Sequence, residues 1–182
     1  MRTKTLLSTS VVAMVLLAGT VSQASAKRGT IPRPDKVSVG AMVPSVPMRM
    51  ADGTYTTLAK MRRPITLVAI SGISADRNTS AHAELASLAR LYRDRLLTVA
   101  DIVSPESANG AGLSSDLHHF DDTDHIAWNA FKKPEQDTLY LIDERGMIQA
   151  VESMENLRLI VNKVRWMVLD AEEDEESRYY GG

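Results

Sequence analysis

PITLVAISGISADRNTSAHAELASLARLYRDR, from Pro64 to Arg95, decides how the rest of the chain is read. Its first part, Ile65 to Ile70, is a short apolar run that stops at Ser71-Gly72, as a buried strand does. From Ala81 onward the apolar residues return at helical spacing, at Ala81, Leu85, Leu88, Leu91 and Tyr92, which predicts a helix with one apolar face. Gly72 to Ser80 between them is polar. The order is strand, loop, helix.

Working outward toward the C-terminus, Leu96 to Val103 (LLTVADIV) is a second apolar strand ending at Ser104-Pro105. A strand, helix, strand run demands a parallel pair joined by a right-handed crossover. Glu106 to Asp122 collects Ser, Asn, Gly, Asp and His and is expected to be a long surface loop. Thr123 to Phe131 follows as a short helix, with Asp124 in its first turn where a negative charge suits the helix dipole. Thr138 to Ile142 and Met147 to Val151 read as a hairpin around the turn Asp143 to Gly146. The final helix carries Met154, Leu157, Ile160, Val161, Val164, Met167 and Val168 on one stripe, with Glu155, Arg158, Lys163 and Arg165 off it. Trp128 and Trp166 lie in the last two helices, where burial against the sheet is expected. Residues 171–182 open with Ala-Glu-Glu-Asp-Glu-Glu and are expected to be an acidic disordered tail.

Toward the N-terminus, Met48 to Met50 and Thr54 to Leu58 flank Asp52-Gly53, a dipeptide suited to a tight hairpin. Met42, Met48 and Met50 there read as packing residues. Residues 27–38 contain prolines and a glycine without periodicity and form an expected extended lead-in to a domain over residues 39–170. Arg2 and Lys4, the apolar run Leu6 to Gly19 and Ala24-Ser25-Ala26 predict a signal peptide over residues 1–26, cleaved before Lys27. The apolar run is shorter than the roughly 20 residues of a membrane span. No cysteine follows it to take a lipid, so the expectation is an exported protein, periplasmic or secreted, with no membrane insertion after cleavage.

A formal net charge of −2 and a pI near 6.1 give no basic field to attract nucleic acid. The cysteine count is 0, which excludes disulfides, thiolate metal sites and every thiol mechanism at once.

The element order, a hairpin and then strand, helix, strand, helix, strand, strand, helix, predicts an α/β protein with a mixed sheet and helices on both faces. It resembles the thioredoxin-like fold, a three-layer α/β/α sandwich with a mixed central sheet. Gly40-Ala-Met-Val-Pro44 followed by Asp52-Gly53 and Leu58 is similar to the opening of the redoxin and peroxiredoxin-like (thiol-specific antioxidant) group, and Leu139-Tyr-Leu-Ile-Asp143-Glu-Arg-Gly146-Met-Ile148 to that group's late hairpin. The resemblance spans Val39 to Val168 and implies a reactive cysteine in the loop Gly72 to Ser80. Aligned on Glu84-Leu85, Ala75 stands at the cysteine position, with Ser74 the alternative by one residue, and neither replaces a thiolate as nucleophile. The family's proline before the late strand is replaced by Asp137, the nearest proline being Pro134. The resemblance therefore implies the fold without thiol–disulfide or peroxidase chemistry, and without a cofactor.

Asp116 to His125 is the one stretch rich in ligating groups. His118, His119, Asp121 and His125 are weak candidates for a metal, without a recognised ligand spacing; as ordinary loop and helix-start residues they need no metal. His82 reads as a partly exposed helix residue. Ser71, Ser74 and Ser80 lack a G-x-S-x-G elbow, and Asn78-Thr79-Ser80 reads as a helix cap in preference to a glycosylation triplet. Two functions follow: a non-catalytic binding or interaction module with a protein partner that no motif identifies, or a metal-binding protein or enzyme using residues 116–125. A redox-pathway accessory protein is a further alternative.

Overall fold

Asp52 and Gly53 turn the chain back on itself, as their types predict. In the computed structural model, which describes residues 37–50, 52–72, 79–92, 96–103, 115–122 and 124–180, Asp52 Oδ1 accepts from the Thr54 backbone (2.8 Å) and hydroxyl (2.6 Å). Gly53 takes a φ of 83°, which costs glycine nothing. The flanking strands, β1 (Pro47–Met50) and β2 (Tyr55–Thr57), pair antiparallel. Leu58, read from sequence as the end of the returning strand, instead starts a one-turn helix α1 (Leu58–Met61), because the Thr57 hydroxyl caps it by accepting from Lys60 N.

The stretch that decided the reading forms β3 (Ile65–Ser71) and α2 (Thr79–Tyr92), followed by β4 (Leu97–Val103) parallel to β3. Then come β5 (His118–Asp121), α3 (Ile126–Ala130), β6 (Thr138–Asp143), β7 (Ile148–Ser153) and α4 (Leu157–Tyr180). The sheet order is β2-β1-β5-β4-β3-β6-β7, with β3, β4 and β5 parallel and the outer pairings antiparallel. Successive side chains of β3 and β4 alternate between two buried layers. Leu67, Ala69, Leu97 and Val99 pack with α2 and α4, while Val68, Ile70, Ala100 and Ile102 pack with α1 and α3. In the β6–β7 turn, Asp143 Oδ1 accepts from Arg145 N and Met147 N, and Gly146 supplies a φ of 84°.

Several expectations are corrected. Residues 118–121 are a strand, not part of a surface loop. β5 buries only Phe120 on the α1/α3 side and is held by backbone pairing to β4 and β1, so its His-His-Phe-Asp composition carries no strand signal. The helix expected over Thr123 to Phe131 starts only at Ile126, and its capping carboxylate is Asp122 in place of Asp124, accepting from Ala127 N (2.9 Å) and Trp128 N (2.8 Å). Leu91 is exposed, lying about 120° around α2 from buried Leu85, and Tyr92 takes the inward position. Trp166 is 74% exposed, on the side of α4 opposite buried Val164; Trp128 is half-buried. Met42 is exposed and Met48 buried. α4 runs through the stretch expected to be a tail as far as Tyr180, since Ala171-Glu-Glu-Asp-Glu-Glu has high helix propensity and no Gly or Pro to stop it. Residues 1–26, most of the lead-in, and Ser74 with Ala75 lie outside the described residues. Among the described residues no helix is long and apolar enough to cross a membrane.

Candidate functional site

The three parallel strands end side by side. Ser71 pairs with Val103 at the end of β3 and β4, and Asp101 with His119 across β4 and β5. Side-chain alternation puts Ser71, Asp101 and His119 on the α2 side of the sheet, at the carboxyl ends where open α/β sheets hold their sites. α2 brings His82 from its first turn onto the same place. The four residues meet at Asp101, which is 0% exposed. Ser71 Oγ donates to Asp101 Oδ1 at 2.6 Å. His119 Nδ1 lies 3.2 Å and His82 Nε2 3.5 Å from Asp101 Oδ2.

Burial by itself raises a carboxyl, and an unpaired buried carboxylate is among the costliest groups in a protein. Here His119, then His82 and the Ser71 hydroxyl outweigh that burial and hold Asp101 well below the ordinary carboxylate range. The group is therefore ionised at neutral pH, hydrogen-bonded by Ser71 and flanked by the two imidazoles, so that it is contacted from three different elements. Its chemistry is limited by the direction of these contacts. Ser71 gives its proton to a carboxylate, with no imidazole accepting from it, and is itself fully buried, so it is not arranged as an activated nucleophile.

The sequence singled out His119 but neither Asp101 nor His82 as functional. A signal existed for both: Asp101 is the one charge in the apolar run 96–103, and His82 lies three residues before Leu85 and seven before Ala89, on the buried side of α2. The other metal candidates do not converge on His119. His118 points to the opposite face of β5, Asp121 is exposed at the strand's end, and His125 precedes α3 with a φ of 52° and its ring 5.5 Å from that of Trp128. Among the described residues no group of three His, Cys, Asp or Glu side chains is arranged to hold a metal ion.

No family model and no curated protein matches the chain. Solved structures do. Xylella fastidiosa PrxQ, a cysteine-to-serine mutant, superposes with a TM-score of 0.59 at 13% identity, covering 72% of this chain and 98% of that one. The thioredoxin domain of a thiol-disulfide oxidoreductase from Bacteroides vulgatus gives 0.57 at 14% identity, over 71% and 99%. The bacterioferritin comigratory protein of Xanthomonas campestris gives 0.57 at 12%, over 72% and 96%.

The chain has the thioredoxin-like fold. Within the thioredoxin-like frame, the buried Asp101 network sits at the end of β3 and beneath the start of α2, the two elements that flank in sequence the segment where the redoxin resemblance implies a cysteine. Asp137, where that resemblance implies a proline, is buried directly before β6, and the pairing of Ile70 with Thr138 sets it beside the end of β3. Its carbonyl accepts from Met154 N at 2.9 Å. Pro134 belongs to the preceding loop, where its carbonyl accepts from Trp128 Nε1 at 3.2 Å.

Proposed function

We propose that this chain is an exported, cysteine-less thioredoxin-like protein that acts by binding a protein partner and has no thiol–disulfide or peroxidase activity of its own. The observation that carries the reading is the Ser71–Asp101–His82–His119 network. At the carboxyl ends of the parallel strands the polar side chains are gathered in the interior around one buried carboxylate, with Ser71 donating to it and two imidazoles beside it, which favours a structural platform over a reactive centre. The absence of cysteine removes the nucleophile, and the leader pattern over residues 1–26 supports export.

The test combines three assays on the purified protein. Insulin reduction with dithiothreitol and peroxide consumption with a thiol donor should stay at buffer rates, and dialysis should leave no stoichiometric zinc or copper. Turnover in either assay, or a retained metal lost on replacing His119 and His125 with Ala, would overturn the reading in favour of an enzyme or metal carrier. Use of the protein as bait on the exported fraction then identifies the partner.

A further inference from the structure

α4 has two apolar faces. The first, through Leu157, Ile160 and Val164, is buried in the core. On the opposite side Leu159, Trp166 and Leu169 are 59%, 74% and 52% exposed. Isolated exposed apolar residues are ordinary, but two leucines and a tryptophan in one stripe of a helix form the kind of patch that interfaces use. An open groove of about 380 Å³ runs along it, lined by Lys163, Trp166, Met167, Leu169, Asp170 and Glu173.

The charges flanking the stripe say what covers it. Within α4, from its start to Trp166 they are basic, at Arg158, Lys163 and Arg165; after it they are acidic, at Asp170, Glu172, Glu173 and Asp174. A uniformly acidic or basic partner would match only half of this face. Its own reverse matches all of it. We propose that this face joins two copies of the chain, with their α4 helices antiparallel about a twofold axis at Trp166. Residues equidistant from the axis then meet. The two Trp166 rings pack on each other, and the long Lys163 side chain, three residues before the axis, reaches Asp170 of the other copy, four after it, and Glu173 about one turn further on. Lys163 Nζ already donates to the Gln149 carbonyl (2.5 Å), which fixes the ammonium at the groove with donors to spare. An isologous contact of this kind closes on itself and leaves no free end for further growth. The inference is independent of the proposed binding function, since the Asp101 network lies elsewhere, under α2.

Sedimentation equilibrium of the purified protein from about 1 to 100 μM tests it. A dimer is expected. Trp166→Ala, or Leu169→Ser as a second variant on the same face, should raise its dissociation constant at least about tenfold, with an unchanged far-UV circular dichroism spectrum. Lys163→Glu alone and Asp170→Lys with Glu173→Lys alone should each weaken the dimer, while an equimolar mixture of these two variants should restore it, because every contact across the axis then pairs opposite charges. A monomer at 100 μM, or a dimer indifferent to both Trp166→Ala and Leu169→Ser, would overturn the proposal. So would a mixture of the charge variants that stays monomeric. A monomer that is captured through this face by a different protein overturns the assignment to a second copy.

Discussion

Asp101 is the residue on which the candidate site turns, and its energetics are testable. Removing its charge leaves His82 and His119 facing a neutral group and Ser71 with a weaker acceptor. Asp101→Asn should therefore lower stability by on the order of 3 kcal/mol in urea unfolding. The pH dependence has a definite sign. The folded-state carboxyl lies below its ordinary value of 3.8, because the two histidines and Ser71 outweigh its burial. Its stabilisation is thus complete above that unfolded value and is lost as the pH falls below it, toward the depressed folded value. The gap between wild type and Asp101→Asn should narrow as unfolding is measured at successively lower pH below 3.8. A gap that widens toward acid would show that Asp101 is held protonated. Neither histidine could be assigned this role from sequence, since His82 lies 19 positions and His119 18 positions from Asp101 and no spacing rule links them.

Among the elements, α3 and α4 show where local pattern suffices and where it fails. α3 is too short to stand on propensity and depends on Asp122, which satisfies two of its first backbone N–H groups. Asp122→Ala should cost about 1 to 2 kcal/mol in thermal unfolding, whereas exposed Asp124→Ala should cost little. For α4 the heptad-like stripe predicts the buried face, and Val164 is 0% exposed at its centre. Val164→Asp should destabilise by several kcal/mol, since it places an unpaired charge in the core. Unchanged unfolding would mean that the stripe faces solvent. Trp166 was misplaced by the same sequence because residue type suggests burial, while phase decides it. β5 was missed because its polar residues gain their order from neighbouring strands.

The whole molecule is a thioredoxin-like scaffold without the thiol that the redoxin resemblance implies. If the leader is cleaved as its pattern predicts, mass spectrometry of the exported protein should find Lys27 first. A protein that retains Met1 would refute export through this signal. The sequence by itself determined the order of elements from β3 to α4, apart from β5, because hydrophobic periodicity is a local property of a segment. It also determined the absence of cysteine, because composition needs no geometry. Only the tertiary structure decided that Ser71, His82, Asp101 and His119 meet, and that Leu159, Trp166 and Leu169 remain uncovered. A strand or helix specifies which of its residues share a face, but which faces are brought together depends on sheet order and register, and those are set by packing among segments far apart in the chain.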